Sequence, residues 1–358
     1  MKKLVLSVAM ATLACGAFAQ KSNLSKAKNA LYEPADLAAA KNAIEPALTN
    51  AETKDLAETH FLAGQVYYKT VEQESKNKML QQPVNQALQN ECVVKAIDEY
   101  LIAYDLDQKP NEKGKIKPKY QKDIERNLKS LSNSLIEVGY GAYQEKDYKA
   151  TVAIWGKYID LPKINPQLFG EIAKDSSYND YRFYTINAAM LDESQIDKGI
   201  EMMEEFKTSG HKDAETAAQW LYQTYAEKKK DDTKAVRTLK ECAKIFPNSN
   251  YFTANLINYY IKNNQANDAI KYLDEAISQN PKDPQYYVVK GNTLVDLKKY
   301  DDAIATYNKV ISDVDPNSAE AYQGLGIVYI SKASELQAEA DKIPFSQKAK
   351  YNAKMKEV

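Results

Sequence analysis

Histidine is almost absent from this chain. There are two in 358 residues, His60 and His211, and neither has a cysteine or acidic cluster near it at ligand spacing, so neither a zinc site nor a histidine general base is expected. The three cysteines, Cys15, Cys92 and Cys242, are too few and too scattered for a disulfide framework. Twelve glycines and twelve prolines are few for this length, and with 44% hydrophobic and 27% charged residues the composition suits a helix-rich, packed chain. No apolar run approaches the roughly 20 residues needed to span a bilayer. A formal net charge of -1 gives no bulk attraction to nucleic acid or anionic membrane. The lysine run at Lys113, Lys115, Lys117, Lys119 and Lys122 reads as a solvated loop.

Catalytic motifs are missing too. No phosphate-binding loop of the Gly-Lys-Ser/Thr type occurs. Gly324-Leu325-Gly326 lacks the third glycine of a dinucleotide fingerprint and falls inside an expected helix, where it serves packing. Ser75-x-x-Lys78 has the spacing of a serine hydrolase motif without that class's other motifs. No convergent carboxylate pair stands out. The chain is therefore expected to have no enzymatic activity, cofactor or metal.

What is present begins with a leader. Lys2 and Lys3 precede an apolar run from Leu4 to Leu13, then Ala17-Phe18-Ala19 before Gln20, the pattern of a cleaved secretory signal at Met1 to Ala19. The mature chain then has 46 basic and 49 acidic residues, a net charge near -3, and is expected in a bacterial periplasm. Thr12-Leu13-Ala14 before Cys15 offers a second reading, a lipid-modified cysteine at the outer membrane.

The stretch from Thr216 to Pro316 carries a fixed period. Ala235, Ala269 and Ala303 stand 34 residues apart, each followed at +4 by Leu239, Leu273 or Tyr307 and at +7 by Cys242, Ala276 or Val310. That spacing puts a small residue and two larger ones on one helical stripe, so that a second helix can approach closely. Pro247 and Pro281 follow their alanines by twelve residues, and Pro316 arrives one residue late. Twelve residues upstream of the alanines stand Gln223, Ile257 and Gly291, and Gly326 continues the series. A period in this range marks a helical repeat array.

With Tyr322, Leu325, Gly326 and Tyr329 after Ala303, Tyr307 and Pro316, the pattern resembles the tetratricopeptide repeat from residue 216 to about 330. The resemblance implies an all-α fold, a right-handed superhelical solenoid of antiparallel helix pairs whose first helices line a concave groove. Carried over position by position, it places Phe61, Gln65, Tyr68, Ile136, Tyr140, Tyr143, Tyr181 and Tyr184 in the N-terminal groove. Toward the C-terminus it places Trp220, Thr224, Tyr251, Asn258, Gln285, Val288, Asn292, Gln323 and Ile327 there. The binding candidates are Phe61, Tyr68, Tyr140, Tyr143, Tyr181, Tyr184, Trp220, Tyr251, Asn258 and Asn292. Aromatics offer contact area at small entropic cost and amides can bond a peptide backbone. The family's lysine and asparagine clamp for a terminal carboxylate is half present, since Ala254 and Val288 occupy the lysine positions beside Asn258 and Asn292.

Between residues 20 and 210 the repeat drifts. Ala40, Ile44 and Ala47 form a second-helix stripe, and Gly64 begins a unit whose packing residue Ala96 comes some twenty residues late, which implies a long hairpin near 57–106. Thr151 and Trp155, then Gly199, Met203 and Phe206, continue the register to Gly210, and regular repeats fill 211–358. Pro344 follows Gly326 much as Pro83 follows Gly64, so the last hairpin is expected to copy the long one and to be incomplete at Val358. The expected role is an interaction scaffold holding peptide segments or partner helices of envelope or secretion proteins; the sequence sets no oligomeric state. The lipid reading of Cys15 would make it a membrane-anchored assembly factor.

Overall fold

The computed structural model describes residues 22–32, 35–110 and 113–357, and within them helices are the only regular elements. The leader and Cys15 lie outside the described residues. Two compact units divide at His211 and Lys212. Both are built from consecutive antiparallel helix pairs, the all-α, TPR-like solenoid architecture.

In the first unit α1 spans 22–30, α2 Leu37–Thr49, α3 Ala57–Met79, α4 Gln86–Asp107, α5 Gln121–Gln144, α6 Tyr148–Ile164, α7 Pro166–Phe169, α8 Tyr178–Leu191 and α9 Ile196–Phe206. The second holds α10 Ala214–Gln223, α11 Asp232–Ile245, α12 Asn250–Lys262, α13 Ala266–Gln279, α14 Pro284–Asp296, α15 Tyr300–Lys309, α16 Ala319–Ala340 and α17 Lys348–Met355. α3 and α4 have 23 and 22 residues, against 13 and 14 in α12 and α13, so their hairpin is the long one of the first unit.

Five of the turns inside pairs are built the same way. Gln81, Lys146, Lys230, Asn264 and Lys298 take left-handed φ of 56°, 62°, 53°, 57° and 58°, the last three 34 residues apart. The residue after each donates its N–H to a carbonyl five back, as from Gln265 to Tyr260 at 2.8 Å and from Lys299 to Leu294 at 2.9 Å, or six back where Asp231 reaches Tyr225 at 2.9 Å. This closes the first helix with a Schellman-type bond even though no glycine is present. The second helix then starts on a carboxylate where one is available: Asp147 accepts from Ala150 N at 3.0 Å and Asp231 from Lys234 N at 3.0 Å.

The cores follow the small-plus-aromatic stripe. Ala96 and Tyr100 on α4, Thr151 and Trp155 on α6, and Ala303 and Tyr307 on α15 are buried. Each ring lies directly over a glycine of the helix before it: Tyr100 on Gly64, Trp155 on Gly139, Tyr307 on Gly291. Tyr307 also covers Gly324 on the following helix. Glycine is required at these positions because any Cβ would overlap the ring, and the rings are fully buried. Ala27 and Leu31 at the end of α1 join Ala40, Ile44 and Ala47 of α2 in the first core. Cys92 and Cys242 are buried packing residues, and burial pushes the Cys92 thiol up to about 11.

Two helix ends depart from α geometry. Residues Thr224–Lys228 and Val310–Val314 form π turns, closed by Lys229 N to Thr224 O at 2.9 Å and Asp315 N to Val310 O at 2.8 Å. A π turn admits one extra residue. The second explains why Pro316 comes late.

The first turns the end of α10. Ten residues separate Tyr225 from Ala235, where nine separate Tyr260 from Ala269 and Leu294 from Ala303. The expected inward position Gln223 is therefore exposed, and Thr224, expected in the groove, is buried with its hydroxyl donating to the Trp220 carbonyl at 2.7 Å. No described helix is long and apolar enough to cross a membrane.

Candidate functional site: an aromatic wall on the first helices

In the first unit the first helices are tied edge to edge by side chains of the expected groove. The Tyr68 hydroxyl of α3 donates to Ser130 Oγ of α5 at 2.7 Å, and the Tyr143 hydroxyl of α5 donates to Asn187 Oδ1 of α8 at 3.0 Å. These bonds fix the spacing of neighbouring helices while leaving ring faces to form the wall.

Behind the wall Trp155 acts as a base plate. Its ring stacks on Tyr143 at 5.8 Å between centroids, meets Tyr181 edge-on at 5.9 Å and lies 6.4 Å from Tyr184. Its Nε1 donates to the Ile136 carbonyl of α5 at 3.3 Å. Tyr181 in turn meets Tyr158 at 5.5 Å and Tyr184 at 6.2 Å. Burial raises the pKa of Tyr158 to about 12 and that of Tyr181 in the same direction, so these two rings stay uncharged at physiological pH.

Two members of the wall face water. Tyr140 is 57% exposed and Tyr184 48% exposed, on adjacent first helices α5 and α8. Tyr68, Tyr143 and Tyr181 are half-buried in the spaces between helices. Phe61 stacks on Tyr120 at 4.5 Å and, with Leu24, Lys28, Glu58, Gln65 and Lys119, lines a cavity of 400 Å³. Tyr120 was not among the expected residues. It follows a loop outside the repeat register, where the Asp107 carboxylate accepts from the backbone N–H groups of Lys119, Tyr120 and Gln121 at 2.9, 2.7 and 3.0 Å. An acid at the end of one helix facing the start of the next is the signal that could have found it.

In the second unit the candidates are mostly engaged. Tyr251 meets Tyr222 edge-on at 6.2 Å and its hydroxyl accepts from Gln223 Nε2 at 3.2 Å. Trp220 is half-buried. Asn292 accepts the Tyr307 hydroxyl at 2.6 Å. Asn258 is exposed and, with Ala254, Ile257, Gln285, Tyr286 and Val289, lines a cavity of 160 Å³.

One ionisable pair is built into the base of the long hairpin. His60 of α3 is buried, with Nδ1 2.5 Å from Glu99 Oε2 of α4 and Nε2 2.5 Å from the Lys54 carbonyl. Burial alone disfavours the imidazolium, but the bonds to Glu99 and Lys54 outweigh it and raise the pKa. A raised folded-state pKa adds stability that is complete below the ordinary histidine value near 6.5 and is lost as pH rises through the folded one. The melting temperature of the chain relative to His60→Gln should thus be higher at pH 5.5 than at pH 8.5. A difference that stays constant across that range would contradict the pairing.

With the glycine, alanine and aromatic register in view, the chain can be set beside known proteins. Residues 220–249 and 291–332 match tetratricopeptide-repeat models. Residues 242–310, within the same TPR stretch, also match the model described as anaphase-promoting complex, cyclosome, subunit 3. No curated protein matches the chain significantly. Among solved structures, the P58(IPK) TPR domain is 13% identical over 94% of this chain and 96% of that one, with a TM-score of 0.28. The TPR2AB domain of yeast Sti1 in its pHSP90 complex is 16% identical over 74% and 99%, at 0.28. Naa15/Naa10 bound to HypK-THB is 15% identical over 91% and 48%, at 0.35.

Proposed function

We propose that this chain is an exported, non-enzymatic scaffold whose first unit holds a peptide segment or partner helix of an envelope or secretion protein against Tyr140 and Tyr184. The observation that carries this reading is the pairing of two exposed tyrosines with a rigid aromatic base. Tyr140 and Tyr184 are exposed, and Trp155 and Tyr181 hold the Tyr184 ring in shape from beneath. Preorganised aromatic rings of this kind dominate binding energy at interfaces. Sequence features support the rest: the Met1 to Ala19 leader favours the periplasm, and a cleaved chain would begin at Gln20. An acylated Cys15 in the mature protein would move it to the outer membrane instead. The missing lysines at Ala254 and Val288 argue against a partner that presents only a terminal carboxylate.

The test is capture of partners from envelope extracts by the full chain and by the Tyr140→Ala/Tyr184→Ala double variant. Each truncation at a central aromatic contact costs about 2 kcal/mol, so the pair should lower recovery about a hundredfold or more while the melting temperature barely moves. Equal recovery of every partner by the folded double variant would overturn the reading.

A further inference from the structure

The two residues that precede the left-handed position of a pair turn stand at the apex of their hairpin. They are Gln144 and Glu145 before Lys146, Lys228 and Lys229 before Lys230, Lys262 and Asn263 before Asn264, and Asp296 with the half-buried Leu297 before Lys298. The long α3–α4 hairpin departs from this pattern with Met79 and Leu80 before Gln81. Met79 is 83% exposed and Leu80 54%. The turn itself does not ask for apolar residues there, since four others of the same build hold none that faces water.

The apex is held in one shape, and its backbone is satisfied from within. Leu80, Gln81 and Gln82 donate their N–H groups to the carbonyls of Lys76, Lys78 and Asn77 at 3.0, 3.1 and 2.8 Å. Across the hairpin the Glu74 carboxylate accepts the Asn85 N–H at 2.8 Å, and Asn85 caps α4. A turn closed in this way can leave water without stranding these donors. Charge at the apex has one sign. Lys76 and Lys78 are exposed, neither forms an ion pair among the described residues, and no acid occurs between Glu74 and Glu91. The α5–α6 turn, placed at the same end by the contact of Gly141 with Gln86, carries Glu145, Lys146, Asp147 and Lys149, which cancel.

We infer that the apex of the α3–α4 hairpin docks on an anionic lipid surface, with Met79 and Leu80 entering the interfacial layer and Lys76 and Lys78 reaching the headgroup phosphates. Two considerations choose lipid over protein. A stable protein interface buries about 800 Å² on each side, which an apex with two exposed apolar side chains does not offer. A bilayer asks for no complementary pocket: each apolar side chain gains by leaving water, and the lysine stems lie along the apolar layer while their ammonium groups stay with the headgroups. The whole chain, at a net charge of -1, has no such attraction in bulk, so the apex is a local exception. Attachment through so small a wedge is weak and reversible. It needs nothing from Tyr140 or Tyr184, so it stands or falls apart from the wall.

The test uses the full chain in a Cys15→Ser background with a nitrobenzoxadiazole dye on Gln82→Cys, since Cys92 and Cys242 are buried and do not react. Vesicles of mixed phosphatidylglycerol and phosphatidylcholine should shift the dye to the blue, and phosphatidylcholine alone should need at least tenfold more lipid. Each lysine near an anionic surface is worth about fivefold, so Lys76→Gln/Lys78→Gln should weaken the response about twentyfold, and Met79→Ser/Leu80→Ser should abolish it. All four side chains are exposed, so both variants should keep the parent melting temperature. The same dye on Ala153→Cys should stay unshifted, which separates docking at the apex from attachment through the apolar run of residues 4–13. No shift at position 82, or a shift that Met79→Ser/Leu80→Ser leaves intact, overturns the inference. So does a shift produced by lipid-free envelope protein and not by vesicles, which would give the apex to a partner polypeptide.

Discussion

Gly291→Leu will destabilise the second unit by about 3 kcal/mol or more, at the upper end of what overpacking a core costs. Tyr307 has nowhere to go. Its ring is fully buried between Gly291 and Gly324, and its hydroxyl is held by Asn292 at 2.6 Å. A side chain at 291 must push the ring out of the core or push α14 from α15. The Asn292 bond is lost in either case, and a buried hydroxyl left unpaired adds about 1–3 kcal/mol. Denaturant unfolding followed by tyrosine and tryptophan signals measures the loss, and the same substitution at Gly326, where an added methyl group would meet no atom within 4 Å, is the internal control. A Gly291→Leu protein as stable as the parent would refute the ring-on-glycine packing.

Trp155→Ala should act on stability and binding together. The side chain is 3% exposed and touches three candidates of the wall, so its removal costs about 3–5 kcal/mol as a large aromatic cavity. Tyr143, Tyr181 and Tyr184 then lose the surface that orients them. Partner recovery should fall even below the temperature at which the variant unfolds. Trp155→Phe keeps ring packing and gives up the bond to the Ile136 carbonyl, so it should retain most of both. Calorimetry and capture on the same samples check the two effects, and a Trp155→Ala protein that binds normally would show that the wall is not the working surface.

Much of this architecture could be read from the residues because the constraint is local and repeated. An alanine with a bulky apolar residue four on recurs every 34 residues at Ala235, Ala269 and Ala303, and with a glycine twelve residues before it the structure makes the contact between Gly291, Ala303 and Tyr307. The π turns were harder. A one-residue surplus between Tyr225 and Ala235 does not say where it is absorbed, and its absorption at Thr224–Lys228 turned Thr224 inward and Gln223 outward. The wall was legible as a set of rings without their exposure. With 26 tyrosines in the chain, spacing cannot tell a ring that fills an inter-helix gap, such as Tyr181, from one that faces solvent, such as Tyr184. That difference depends on how far adjacent first helices stand apart, which the Tyr68–Ser130 and Tyr143–Asn187 bonds set.

The most direct test of the wall is photo-crosslinking from a benzoylphenylalanine at position 184, compared with one at Ala153, which is exposed on the second helix α6. The account predicts that position 184 becomes linked to a partner polypeptide and position 153 does not. Equal yields from both, or linkage from 153 alone, would contradict it.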